Sequence, residues 1–192
     1  ETQSGFKISV KLLLKIIKCL IYGDVLSKIS HRMRPYEIRK GETDELYSKW
    51  VEICKADVAK KGINWRNLRK NCRKMIAEFD AVTIDEDIKI VKVGIVGEVL
   101  VKYMPMANNH LAQLIEAQGA EVVVPDVIEF LEYCFWNAKY RAQVFGKSKM
   151  SARLVDLLLF VTDFVRRDVV KQLNASKHFE PSSTLEEIRK DG

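Results

Sequence analysis

The chain has 192 residues, 47% of them apolar and 30% charged, which excludes an unstructured tail and provides for one packed core of domain size. Its net charge of +6 is dispersed among acids rather than gathered into one basic stripe. The four cysteines form no C-x-x-C pair, which excludes a sequence-adjacent thiolate clasp for a metal and predicts buried free thiols in a reducing compartment.

The first predicted element is a helix from Ile8 to about Arg32. Its apolar residues recur at Leu12, Leu13, Ile16, Ile17, Leu20, Ile21, Val25, Leu26 and Ile29, with lysines on the other side. Lys11, Lys15 and Lys18 interrupt the apolar run, so it cannot span a bilayer, and no small-residue cleavage site ends it. A cytoplasmic protein is expected. Pro35 ends the helix, and "RPYEIRKGET" leads to a second one, with Thr43 as its expected cap and Asp44 and Glu45 in its first turn. Asn64 caps a third helix carrying Trp65, Leu68, Cys72, Met75, Ile76 and Phe79 inward. The densest basic cluster, Arg66, Arg69, Lys70, Arg73 and Lys74, lies on its other side. It reads as a solvated face and not as a nucleic-acid footprint, because base-reading aromatics are scarce there and no recognition motif accompanies it.

After the acidic turn "DAVTIDEDIK", the run "IVKVGIV" reads as a buried parallel strand. A helix from about Asn108 to Gln118 follows, closed by Gly119, and "AEVVVP" supplies a second strand. Beyond Asp126 the pattern is helical, from Val127 to about Phe145 and from Met150 to about Leu173, with Gly146 as the break. The later helix carries Leu154, Leu157, Leu158, Val161, Phe164 and Val165 as a buried stripe, widened by Phe160. "HFEPSSTLEEIRKDG" opens a further helix after Pro181, capped by Ser183 or Thr184.

The predicted class is α/β: a Rossmann-like βαβ unit with a small parallel sheet and extensive α-helical additions. Residues 1–80 form a helical region, 81–126 the βαβ unit and 127–192 a second helical region. Two strands make a poor parallel sheet, since each needs neighbours and covering helices. The chain is therefore expected to be one structural unit of a larger domain, cut from a longer polypeptide.

Gly94 and Gly97 do not have the G-x-G-x-x-G spacing of a dinucleotide turn, and a Walker-type loop is excluded as well. Asp126 stands where a ribose-binding acid would sit and equally suits the cap of the next helix. The loop "GEVLVKYMPMANN" lies at the carboxyl end of a parallel strand, where open α/β sheets place ligands. Glu98, Lys102, Tyr103, Asn108 and Asn109 are its polar groups and form the candidate ligand loop. Either asparagine could instead cap the helix, and Lys102 could be solvated. His31, His110 and His178 are isolated in sequence and read as surface or capping groups; no catalytic or metal-binding set emerges.

The segments "RPYEIRKGETDELY", "KVGIVGEVLVKYMPMANNHL", "EVVVPD" and "KHFEPSSTLEEI" together resemble the 2-hydroxyacyl-CoA dehydratase group. The similarity is greatest to the large proteins described as 2-hydroxyglutaryl-CoA dehydratase activators, or CoA-substrate-specific enzyme activases. The resemblance implies anaerobic metabolism, in which ATPase activator domains on the same polypeptide drive an electron into an iron–sulfur protein. It implies a [4Fe-4S] cluster in the full-length protein. The family's cluster cysteines stand in other segments, and Cys19, Cys54, Cys72 and Cys134 lack their contexts, so this chain alone is expected to hold no cluster and turn over no substrate. Sheet edges could pair two copies as a homodimer. Two other readings stand beside this one: a small α/β binding domain for a nucleotide or CoA-like anion, and a helical regulatory module docking through its basic third helix.

Overall fold

The computed structural model describes residues 9–144 and 149–179. Within them the elements run α1 (Val10–Met33), α2 (Glu42–Ala59), α3 (Trp65–Asp80), β1 (Lys92–Gly94), α4 (Val99–Tyr103), α5 (Leu111–Ala117), β2 (Glu121–Val123), α6 (Val127–Val144) and α7 (Lys149–Ala175). The architecture is mostly helical with a two-stranded parallel sheet, a mixed α/β arrangement. No helix among the described residues is long and apolar enough to cross a membrane. The expected break at Gly146 and the helix start at Ser183 or Thr184 lie outside the described residues, as do the side chains of Leu154, Leu157 and Leu158.

Helix α1 organises the molecule. The Ser9 hydroxyl accepts the Leu12 amide at 3.2 Å and opens it. Ile17, Ile21, Val25, Ile29 and Met33 then recur every fourth residue as one buried stripe, and Lys18, Tyr22 and Leu26 form the adjoining one. So wide a buried face allows α2, α3, α6 and β2 all to pack on the same helix. Leu68, Cys72, Met75, Ile76 and Phe79 of α3 meet Val165, Val169 and Leu173 of α7 in the continuous core, with Trp50 of α2 and Ile128 of α6 at its margins. Each large apolar side chain so buried stabilises the fold by roughly 1.5–3 kcal/mol before entropy is charged against it.

The sheet is shorter than the apolar run predicts. Only Lys92, Val93 and Gly94 pair, opposite Glu121, Val122 and Val123. The Glu121 amide donates to the Val91 carbonyl and the Ile95 amide to the Val123 carbonyl, both at 2.9 Å, so the ladder frays on either side. Among the described residues β1 has one pairing neighbour, and the flanking Val91 and Val96 are 73% and 84% exposed.

Several polar groups sit elsewhere than periodicity predicts. Lys18 belongs to the buried face of α1, where its ammonium meets the Asp57 carboxylate at 2.5 Å with only 2% and 3% of the side chains exposed. Tyr22 donates to the same carboxylate at 2.8 Å, and Asn71 donates to the Tyr22 oxygen at 2.9 Å. Burial opposes ionisation of Asp57, but the bonds from Lys18 and Tyr22 outweigh it and hold the carboxyl below its ordinary range. The N-cap of α2 is Gly41, φ 91°, and not Thr43, because the buried Glu37 carboxylate takes the Gly41 and Thr43 amides at 2.7 and 2.8 Å. Asp126 is not the side-chain cap of α6. Asp24 of α1 accepts the Val127 and Ile128 amides, each at 2.9 Å, while Asp126 turns to Arg166 at 3.1 Å.

The basic face of α3 is solvated at Arg66, Lys70, Arg73 and Lys74, but Arg69 lies half-buried over the Phe164 ring, 4.8 Å from its centroid. Phe160 and Phe164 stack on each other on the exposed side of α7 rather than in the core, which Val165 enters instead. The thiols also divide: Cys54 and Cys72 are buried, Cys134 is half-buried and Cys19 is exposed.

Truncating Asp57→Ala leaves a buried ammonium unpaired and is expected to lower stability by about 3–5 kcal/mol in urea unfolding, whereas Lys18→Met with Asp57→Leu retains most of it. Asp24 generates a pH effect. Burial, then the nearby Asp126 charge, push its carboxyl up to about 7 against the opposing amide bonds and Arg166. Its unfolded value is about 4, so its contribution to stability is full in acid and is lost as pH rises from about 4 through about 7. Urea midpoints should show this slope in the native protein and its loss in Asp24→Asn, on top of a pH-independent cost for the weakened cap.

Candidate functional site

Gly97 turns the chain out of β1 with φ 147°, a conformation side-chain-bearing residues rarely adopt. The Glu98 carboxylate then accepts the Leu100 and Val101 amides at 2.8 and 3.2 Å, so α4 begins at once where the sequence suggests open loop. Asn108 ties the end of α4 to the start of α5. Its amide donates to the Val101 carbonyl at 2.9 Å, and its oxygen accepts the Leu111 amide at 3.2 Å. Tyr103 donates its hydroxyl to the Pro125 carbonyl at 2.5 Å, fastening this loop to the segment after β2.

The result is a cleft of 470 Å³ beyond the carboxyl ends of both strands, with Ile95 and Val124 in its wall. Lys102, Tyr103 and Asn108 of the candidate ligand loop line it. Glu98 and Asn109 do not: Glu98 is spent on capping, and Asn109 is exposed with left-handed φ 54°. The Lys102 ammonium lies over the Tyr103 ring, 4.6 Å from its centroid, and has no carboxylate partner among the described residues. His110 occupies the N-cap position of α5 at φ 55° without a side-chain cap bond, and His178 lies 4.0 Å from Asp80.

The opposite wall holds a charge relay that the sequence does not reveal. His31 Nδ1 lies 2.6 Å from Glu116. One Arg34 nitrogen donates to both Glu116 oxygens, at 2.7 and 2.8 Å, while Arg34 Nε holds Asp44 at 2.9 Å. Burial opposes ionisation of Glu116, but the bond from His31 and the Arg34 charge prevail and keep the carboxyl below its ordinary range. An ionised carboxylate can only accept, so Nδ1 of His31 is the donor in this pair. His31 lies in the last turn of α1 and Arg34 is its C-cap, a spacing visible in the sequence. Glu116 lies 85 residues from His31, and nothing local marks it as the partner. His31 also borders a second cavity of 160 Å³, where Arg32 donates to the His178 carbonyl at 2.8 Å and contacts Glu121 at 3.3 Å.

The thiols of this chain are the exposed Cys19, the buried Cys54 and Cys72 and the half-buried Cys134. Iron–sulfur ligation needs several thiolates converging from neighbouring positions. Burial pushes the Cys54 thiol up to about 12 and that of Cys72 higher, and no set of three or more His, Cys, Asp or Glu among the described residues is arranged to hold a metal. Comparison with family models, curated proteins and solved structures finds no match for the chain.

Asn108→Ala should act on architecture before it acts on any ligand. It removes a cap and a strap together, so a loss of about 1 kcal/mol and faster amide exchange across residues 104–111 are expected in hydrogen-exchange mass spectrometry.

Proposed function

We propose that the chain is a scaffold segment of a 2-hydroxyacyl-CoA dehydratase-like iron–sulfur protein, of the activase-related kind. In that protein ATP-driven, low-potential electrons reach a CoA-thioester substrate. The reading is supported by one observation above the others. Three segments that carry the resemblance, far apart in sequence, supply the walls of one cleft: Arg34, Asp44 and Tyr47 from the first, Ile95, Lys102, Tyr103 and Asn108 from the second, and Val124 from the third. Shared placement of separate motifs at the carboxyl ends of parallel strands is what a ligand site produces, and core packing alone does not require it.

Under this reading the β1, α5, β2 portion is a Rossmann-like unit whose sheet continues in further polypeptide, which accounts for the single pairing of β1 and the exposure of Val91 and Val96. The [4Fe-4S] cluster belongs to cysteines elsewhere in the full-length cytoplasmic protein, and the ATPase activator domains act from the same polypeptide. A second reading, a binding domain for a nucleotide or CoA-like anion, is favoured by the Lys102 ammonium in the cleft, which lies over the Tyr103 ring and has no carboxylate partner among the described residues.

Anaerobic reconstitution of this chain with iron and sulfide tests the assignment of the cluster ligands. Substoichiometric, chelator-labile iron is expected, with its level unchanged by Cys19→Ser. Four irons and four sulfides bound per chain would show that the ligands lie here and would overturn the proposal.

A further inference from the structure

The 470 Å³ cleft adjoins an apolar groove of 420 Å³, and Tyr47 lines both. On α1 the cleft is lined by Ser27, His31 and Arg34 and the groove by Cys19, Gly23 and Leu26, so one helical stripe runs through the two. On α2 the order is reversed: Asp44 lines the cleft, and Val51 and Val58 line the groove. The two helices are antiparallel, tied at one end by Arg34 and Asp44 and towards the other by Lys18 and Asp57. At about 1.5 Å per residue the trough between them is about 22 Å long from Arg34 to Cys19, and its apolar part from Leu26 to Cys19 is about 10 Å.

Gly23 shapes the floor of the groove. Glycine weakens a helix interior more than any residue except proline, and Gly23 stands in the middle of the 24-residue α1. Its φ is not positive, and a Cβ placed on it would meet nothing within 4 Å among the described residues. Neither backbone strain nor close packing calls for glycine there. The missing side chain instead leaves open space along α1. Spread over about 10 Å of helix, the 420 Å³ makes a channel about 6–7 Å wide, which admits an alkyl chain and not a helix about 10–12 Å across.

The other end of the trough is polar. Arg34 is committed to Glu116 and Asp44, whereas Lys102 has no carboxylate partner among the described residues. An apolar channel opening beside a cleft with an available cation is complementary to a ligand with a tail and a negative head.

We infer that the trough binds an amphiphile of the fatty-acid type, its linear alkyl chain lying between α1 and α2 over Gly23 and its anionic head in the cleft that Lys102 lines. Removal of the chain from water holds the tail, and the lysine charge holds the head. The inference rests on the cleft being a ligand site and names a ligand class for it. It is independent of where the iron–sulfur ligands lie.

Isothermal titration of the unaltered protein with acetate, hexanoate, octanoate and decanoate, each below its micellar concentration, decides it. Affinity is expected to rise about two- to fourfold for each methylene added, the yield of burying it partly or fully. Gly23→Leu fills the channel and should weaken decanoate at least tenfold, with the melting temperature unchanged or raised because leucine favours the helix. Lys102→Gln should weaken all the acids by a similar factor and leave the increment per methylene as it is. Binding of acetate with no gain from longer chains would overturn the inference and leave the cleft standing as an anion site. Failure of every acid to bind would remove the anion site as well. Decanoate bound equally well by Gly23→Leu would put the chain elsewhere and overturn the inference.

Discussion

The constraint from which the rest follows is that one broad face of α1 is covered by four other elements, so the polar groups on that face must find partners inside the protein. A buried polar group left unmatched costs more than the net gain of a typical hydrogen bond. Lys18 is matched by Asp57 of α2, Asp24 by the first amides of α6, and His31 and Arg34 by Glu116 of α5. These three matches, spaced along one helix, fix where α2, α6 and α5 can sit. Apolar contact alone would allow each of them to slide.

The position of the cleft follows from the same matches. The sheet is too small to create a site by itself, with three paired residues in each strand. It provides a direction: both strands release their chains at one end, and α4 and α5 crowd there because Glu98 and Asn108 shape the loop tightly. The end of α1 closes the other side with His31 and Arg34, which hold Glu116 of α5.

Helical periodicity made much of the scaffold legible. The stripe from Ile17 to Met33, the inward set of α3 and the Asn64 cap follow from spacing alone, and Gly119 closes α5 with φ 78° as its position suggests. The strands were recognisable in kind but not in extent, because an apolar run does not say how many of its residues will find a ladder partner. Phe160 and Phe164 misled for a related reason: periodicity ranks faces by polarity, and Arg69 covers Phe164 from a helix that lies far away in sequence. Of the candidate ligand loop, Lys102, Tyr103 and Asn108 reached the cleft, since the carboxyl end of a parallel strand is a position the sequence can locate.

By itself, then, the sequence determined the helices other than α4, the two β segments, their order and the loop where a ligand would meet the sheet, because these depend on interactions between residues a few positions apart. Only the tertiary structure decided that Lys18 is internal, that Asp24 and Glu37 cap helices, and that Glu116 bridges His31 and Arg34. Charge pairing over such separations has no period to read. It is set by which helix faces meet once the apolar stripes have been buried.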